Sequence, residues 1–204
     1  MSVSTRGARK RRQIVEAAAQ LASHRGLKAA SLSRIAERVG LTKSGLVAHF
    51  PSKEDLTLAV IDHAAAVFGR EVLQGIDHSR PAIERLLVML DRYRRYVIDE
   101  TFEGGCLFLT MVVEIDDVSP REAERIRHYM NVWKQWIERV VRTGIERGEL
   151  RADTAPAAVS DILIALCLGM GPTSRLFGAP EAAFDHAREA AHTVLATLRN
   201  PGTG

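Results

Sequence analysis

The chain is short of cysteine and of aromatic residues, and it lacks the motifs of the common enzyme classes. Two cysteines in 204 residues, without C-x-x-C spacing, argue against a disulfide framework and against a cysteine-based zinc site. No nucleophile elbow, phosphate loop or H-E-x-x-H sequence is present, so we expect no enzyme activity, no cofactor and no metal site. The acidic Glu114-x-Asp116-Asp117 run has no nearby histidine or cysteine, and a solvated helix end is the simpler interpretation.

Long apolar runs are missing too. The most apolar stretch, residues 162–170, is too short to cross a bilayer, and no apolar region follows the basic N-terminus as it does in a signal peptide. We therefore expect a cytoplasmic protein without a membrane partner.

Strand-like alternation of apolar and polar residues is also absent, and most segments between glycine and proline have the helical period. Ser31 and Thr42 are predicted N-caps of two short helices separated by Gly40. Ser119 followed by proline predicts the start of a longer helix. The sequence thus predicts an all-α fold.

Basic residues are concentrated at one end. Residues 1–55 hold eleven Lys and Arg against four Asp and Glu, a net charge of +7, whereas residues 56–204 carry −4. This distribution indicates that the N-terminal part contacts a polyanion.

Two short helices joined at Gly40 are typical of a helix-turn-helix, whose second helix enters the DNA major groove. Lys43 is placed to contact guanine or a phosphate, while the Gly45 backbone can approach the DNA closely. The alternative is a solvated Thr-Lys-Ser surface on an ordinary helix pair, and the charge distribution favours DNA. The predicted DNA-binding residues are Ser31, Ser33, Arg34, Thr42, Lys43, Ser44, Gly45, His49 and Lys53.

Residues 10–57 resemble the N-terminal domain of TetR-family transcriptional repressors, which bear helix-turn-helix motifs. The matching residues are Arg12, Ile14, Ala17, Ala18, Gly26, Ser31, Ile35, Ala36, Gly40, Gly45, Leu46, His49, Phe50, Ser52, Lys53, Glu54 and Leu56. The sequence departs from the family at Val47, where an aromatic residue usually contacts a phosphate. We therefore expect DNA affinity to depend more on Lys43, His49 and Lys53.

The resemblance implies about nine helices: a three-helix DNA-binding domain, residues 1–52, and a ligand-binding and dimerisation domain, residues 53–204. It also implies a homodimer through the last two helices, although packing within one chain is the alternative use of their apolar residues. The helix that begins after Ser52 would then connect DNA binding to ligand binding.

An aromatic and methionine-rich group in the second domain is the predicted effector site. Each such residue alone is typical of a protein core, but TetR-like bodies usually enclose an effector cavity. The candidates are Tyr93, Tyr96, Phe108, Met111, Glu114, Met130, Trp133, Trp136 and Met170. The sequence predicts a repressor that releases a palindromic DNA operator when a small, largely apolar effector binds. A ligand-independent or architectural DNA-binding protein is the alternative.

Overall fold

The computed structural model describes residues 2–99, 101–178 and 180–201, and within these ranges it contains nine α-helices and no strand. The helices are α1 (Ser2–Arg25), α2 (Leu32–Arg38), α3 (Lys43–Val47), α4 (Lys53–Phe68), α5 (Ala82–Ile98), α6 (Leu107–Val113), α7 (Pro120–Glu146), α8 (Pro156–Phe177) and α9 (Pro180–Ala196). A π-helical turn, Gly69–Leu73, follows α4. The all-α prediction is confirmed.

Local sequence signals set several helix starts. The Arg34 N–H donates to Ser31 Oγ at 3.4 Å, and the Gly45 N–H donates to Thr42 Oγ1 at 3.1 Å. Ser119 and Glu122 bond each other's backbone N–H groups at 3.3 and 2.8 Å, which is a full capping box. These contacts satisfy amide groups that have no partner within the first turn of a helix.

The apolar helix α8 is longer than its sequence pattern indicates. It continues through Pro172 and ends at Gly178, which has a φ of +64°. At 22 residues with a mean hydropathy of 1.5 over its most apolar window, α8 is long and apolar enough to cross a membrane. The expectation that no segment reaches this length is therefore wrong. Only 39% of that window is buried within the chain.

The chain divides into two compact units. The first unit comprises residues 1–68 and 100–128, and the second comprises residues 69–99 and 129–204. This division differs from the predicted functional boundary at residues 52 and 53, which stays a prediction.

In the first unit, α1 packs against α2, α4 and α6, and α2 packs against α3. Ile14, Leu46 and Phe50 are completely buried in its core. In the second unit, α5 packs against α8 and α9. Leu163, Phe184 and Leu195 are buried there, so packing within one chain already uses these apolar side chains.

Candidate nucleic-acid interface and effector residues

The turn between α2 and α3 is closed by backbone hydrogen bonds. The Leu41 N–H donates to Ala36 O at 2.8 Å and the Gly40 N–H donates to Glu37 O at 3.1 Å, which is the pattern of a Schellman motif. Gly40 has a φ of +65°, a conformation that residues with a side chain rarely adopt. The turn therefore fixes where α3 begins relative to α2.

One face of α3 is anchored in the core and its N-terminal end is exposed. Leu46 is completely buried, whereas Thr42, Lys43 and Ser44 are exposed. The Thr42 Oγ1 and Ser44 Oγ atoms lie 3.0 Å apart, and Thr42 also caps the helix. The Lys43 side chain is exposed at this capped end of α3, as a base-reading side chain requires.

A structural reason also favours glycine at position 45. A Cβ atom at this position would lie 3.2 Å from Thr42 Oγ1 and 3.8 Å from a methyl group of Leu41. Any larger residue would press on the hydroxyl that caps α3. Glycine thus preserves the cap while leaving the backbone approachable.

The remaining predicted DNA-binding residues lie at or beside the ends of α2, α3 and α4. Ser33 and Arg34 are exposed on the first turn of α2, and Ser31 is half-buried as its N-cap. Lys53 is exposed at the start of α4, where its Nζ donates to Lys28 O at 3.2 Å. His49 is half-buried just after α3.

Three of the predicted effector residues of the second unit, Tyr93, Tyr96 and Trp133, form a buried aromatic cluster. The Tyr93 and Trp133 rings are stacked, with centroids 5.9 Å apart and planes 16° apart. Trp133 Nε1 donates to Met89 Sδ at 3.3 Å, and Tyr96 lies 6.1 Å from Tyr93 between ring centroids. Met170 in the same unit is buried at 4% exposure.

Trp136 and Met130 are half-buried. They complete the six predicted effector residues that belong to the second unit.

Three predicted effector residues belong to the first unit. Phe108 packs edge-on against Phe68, with ring centroids 5.9 Å apart, and Met111 is completely buried. The Glu114 carboxylate accepts a hydrogen bond from the Leu27 N–H at 2.7 Å. Glu114 therefore connects α6 to the loop after α1. The sequence predicted Glu114 as an effector residue and did not indicate this structural contact.

Two family descriptions match the chain. Residues 14–60 match bacterial regulatory proteins of the tetR family, and residues 82–191 match the tetracyclin repressor-like C-terminal domain. The chain belongs to the TetR family. It is a ligand-responsive, DNA-binding transcriptional regulator.

Known relatives that match most of this chain agree with the family assignment. The transcriptional repressor DhaR of Mycobacterium sp. (strain GP1) is 27% identical over 157 residues, which are 76% of this chain and 77% of DhaR. A TetR regulator from Chloroflexus aurantiacus has a TM-score of 0.88 at 29% identity, covering 96% of this chain and 98% of its own. A Cytophaga hutchinsonii TetR regulator has a TM-score of 0.78 at 25% identity, covering 95% and 96%.

Two basic residues that sequence reasoning left out of the site hold the TetR helix-turn-helix together. Lys10 Nζ donates to Val39 O at 2.8 Å, and Arg11 Nη1 donates to His49 O at 2.7 Å. The Arg11 guanidinium also lies 3.9 Å from the centroid of the Phe50 ring, a cation–π contact. Their basic character was visible in sequence, but their acceptors lie 29 and 38 residues further along the chain.

The acidic run at the end of α6 is used in ion pairing and hydrogen bonding. Asp117 Oδ1 lies 2.9 Å from Lys28 Nζ, and Glu114 is bonded to Leu27. Across the described parts of the chain, no three His, Cys, Asp or Glu residues are grouped as a metal ion would require.

Proposed function

We propose that this TetR-family regulator represses transcription by binding a palindromic operator as a homodimer, and that a small, largely apolar effector releases it. The observation that carries the proposal is the exposed N-terminal end of α3, held rigidly by buried Leu46 and by the Thr42 cap. An effector lowers operator affinity only by its preference for the DNA-free state. The cytoplasm, where DNA is accessible, is the proposed location.

DNA contacts are assigned by side-chain chemistry. Lys43 contacts guanine acceptors or a neighbouring phosphate, and Ser44 with Thr42 contributes hydroxyl groups at the same end of α3. The DNA backbone is contacted at the start of α2 by Ser31, Ser33 and Arg34. His49 and Lys53 contact phosphates, and the two ammonium protons that Lys53 does not donate to Lys28 remain for that purpose.

The proposed dimer interface uses the apolar surface that α8 and α9 leave exposed. Leu176 and Phe177 are 76% and 74% exposed, while Ile162 is 42% and Val194 37% exposed. Exposed apolar side chains grouped on neighbouring helices mark association surfaces. A two-fold dimer of this kind reads half-sites about 34 Å apart, or a multiple of that spacing.

The proposed effector site is the buried aromatic cluster around Tyr93 and Trp133. Stacked rings and a methionine sulfur provide a polarizable, mostly apolar environment, so the matching ligand is a largely apolar small molecule. Trp133 also supplies a fluorescence signal for binding. If the protein binds DNA independently of any ligand, no compound will release it from operator DNA.

Selection of bound duplexes from a random pool, using purified protein at a stated salt concentration, tests the proposal. We expect one palindrome to be enriched, because two identical recognition helices related by a two-fold axis read the same half-site. Salt-sensitive binding without sequence preference would contradict the operator assignment. The enriched duplex then serves as the probe in a screen for compounds that release it.

A further inference from the structure

A basic cleft lies between α1 and α2 in the first unit. Its walls are Leu21 and Arg25 from α1 and Arg34, Glu37 and Arg38 from α2, and its volume is about 470 Å³. The four charged side chains are exposed, so the cleft is open to solvent. Of these residues, Arg34 alone belongs to the predicted DNA-binding set.

Positive charge exceeds negative charge in this cleft. Three guanidinium groups face one carboxylate of the lining, Glu37. Arg38 Nη2 lies 2.5 Å from Glu103 Oε1, a residue outside the lining. Arg34 Nη1 donates to a backbone carbonyl, Ala29 O, at 3.4 Å.

In the described structure, no carboxylate pairs with Arg25 or with Arg34. Two guanidinium groups that line one cleft without paired carboxylates repel each other, and a bound anion would relieve this repulsion.

We infer that this cleft binds a free phosphate-type oxyanion, such as inorganic phosphate or a phosphate monoester. Planar guanidinium groups donate two parallel hydrogen bonds to phosphate oxygens, and several can share one phosphate because it has three terminal oxygens. A phosphate monoester carries about −1.5 to −2 charges at pH 7 and can therefore bond both Arg25 and Arg34, which have no paired carboxylate in the described structure. A monocarboxylate would be satisfied by a single arginine.

Glu103 competes with the anion in this arrangement. Its carboxylate occupies Arg38, whereas its backbone N–H donates to Gln20 Oε1 at 2.8 Å and does not depend on the side-chain charge. Glu103→Gln therefore frees Arg38 without removing the backbone contact. Oxyanion affinity should rise in this variant, whereas a generally disturbed surface would lower it.

The first arm of the test measures free oxyanion binding by titration calorimetry, using inorganic phosphate and pyrophosphate on the full chain at constant ionic strength. Arg25→Gln should weaken binding by about tenfold or more, because one charged hydrogen-bonding group is lost. Glu103→Gln should tighten binding. Arg139→Gln, which removes an exposed arginine of the second unit, is the charge-matched control and should bind like the wild type.

The second arm measures affinity for the selected duplex against salt concentration. A salt slope that Arg25→Gln reduces by about one charge, without binding of free phosphate, would place Arg25 on a DNA phosphate and overturn the inference. Binding of free phosphate that Arg25→Gln weakens supports the inference. Free binding that is equal in wild type and Arg25→Gln, or the absence of free binding, overturns the inference. Since the first arm needs no DNA, its result is independent of the proposed operator function.

Discussion

Glu114 offers a direct test of whether a predicted effector residue instead stabilises the first unit, which contains the helix-turn-helix. Its Oε2 accepts the Leu27 N–H at 2.7 Å, and Leu27 is only 4% exposed. Glu114→Ala leaves this amide without an acceptor, and hydrogen bonds to charged groups contribute about 1.5–3 kcal/mol. We therefore expect the free energy of unfolding to fall by about 1.5–3 kcal/mol. Glu114→Gln keeps an acceptor oxygen and should lose less.

Urea unfolding followed by far-UV circular dichroism, which reports on the helices of both units, measures this loss at fixed protein concentration and without effector. With a typical m-value of about 1–3 kcal/mol per molar urea, the midpoint of Glu114→Ala should fall by roughly 1 M. Hydrogen exchange at the Leu27 amide should accelerate in the same variant. An unchanged midpoint together with unchanged exchange would refute the structural role and leave Glu114 available as an effector anchor.

Three further predictions concern DNA, assembly and pH. Lys43→Ala should weaken binding of the selected duplex by about 1–3 kcal/mol in fluorescence anisotropy, and equal losses on a scrambled duplex would contradict a base contact. Phe177→Asp should shift sedimentation towards monomer, whereas Val113→Asp, at a site that is also exposed and apolar, should not. The backbone N–H and hydroxyl of Ser79 hold the pKa of Asp77 below its usual 3.8. Asp77→Asn should therefore be less stable than wild type at neutral pH, and the gap in urea midpoint should close as pH falls through the folded-state pKa. A pH-independent gap would contradict this assignment.

The helix starts and the recognition turn were predictable because the groups that form them are neighbours in sequence. Ser31, Thr42 and Ser119 each cap a backbone N–H three residues away, so a pattern of a few residues contains both donor and acceptor. Gly40 likewise closes its turn with nearby carbonyl groups. The DNA-binding hypothesis rested on such local patterns, together with the charge distribution and the family resemblance.

For the effector group, sequence indicated a shared aromatic and sulfur-rich character. It did not indicate that Tyr93 and Trp133 stack, 40 residues apart in the chain, nor that Phe108 and Met111 belong to the first unit. Composition identifies residues suited to an apolar environment, but packing decides which of them meet.

The sequence by itself determined the helical class, the recognition turn and the concentration of positive charge near the N-terminus, because helix period, capping and charge are local properties. Tertiary structure alone decided that Lys10 and Arg11 bind carbonyl groups of the helix-turn-helix, and that Glu114 is bonded to Leu27. It also brought Arg25 beside Arg34 and Arg38 in one cleft. These groups are between 9 and 87 positions apart in the sequence, and only the folded packing of the helices brings such distant residues together.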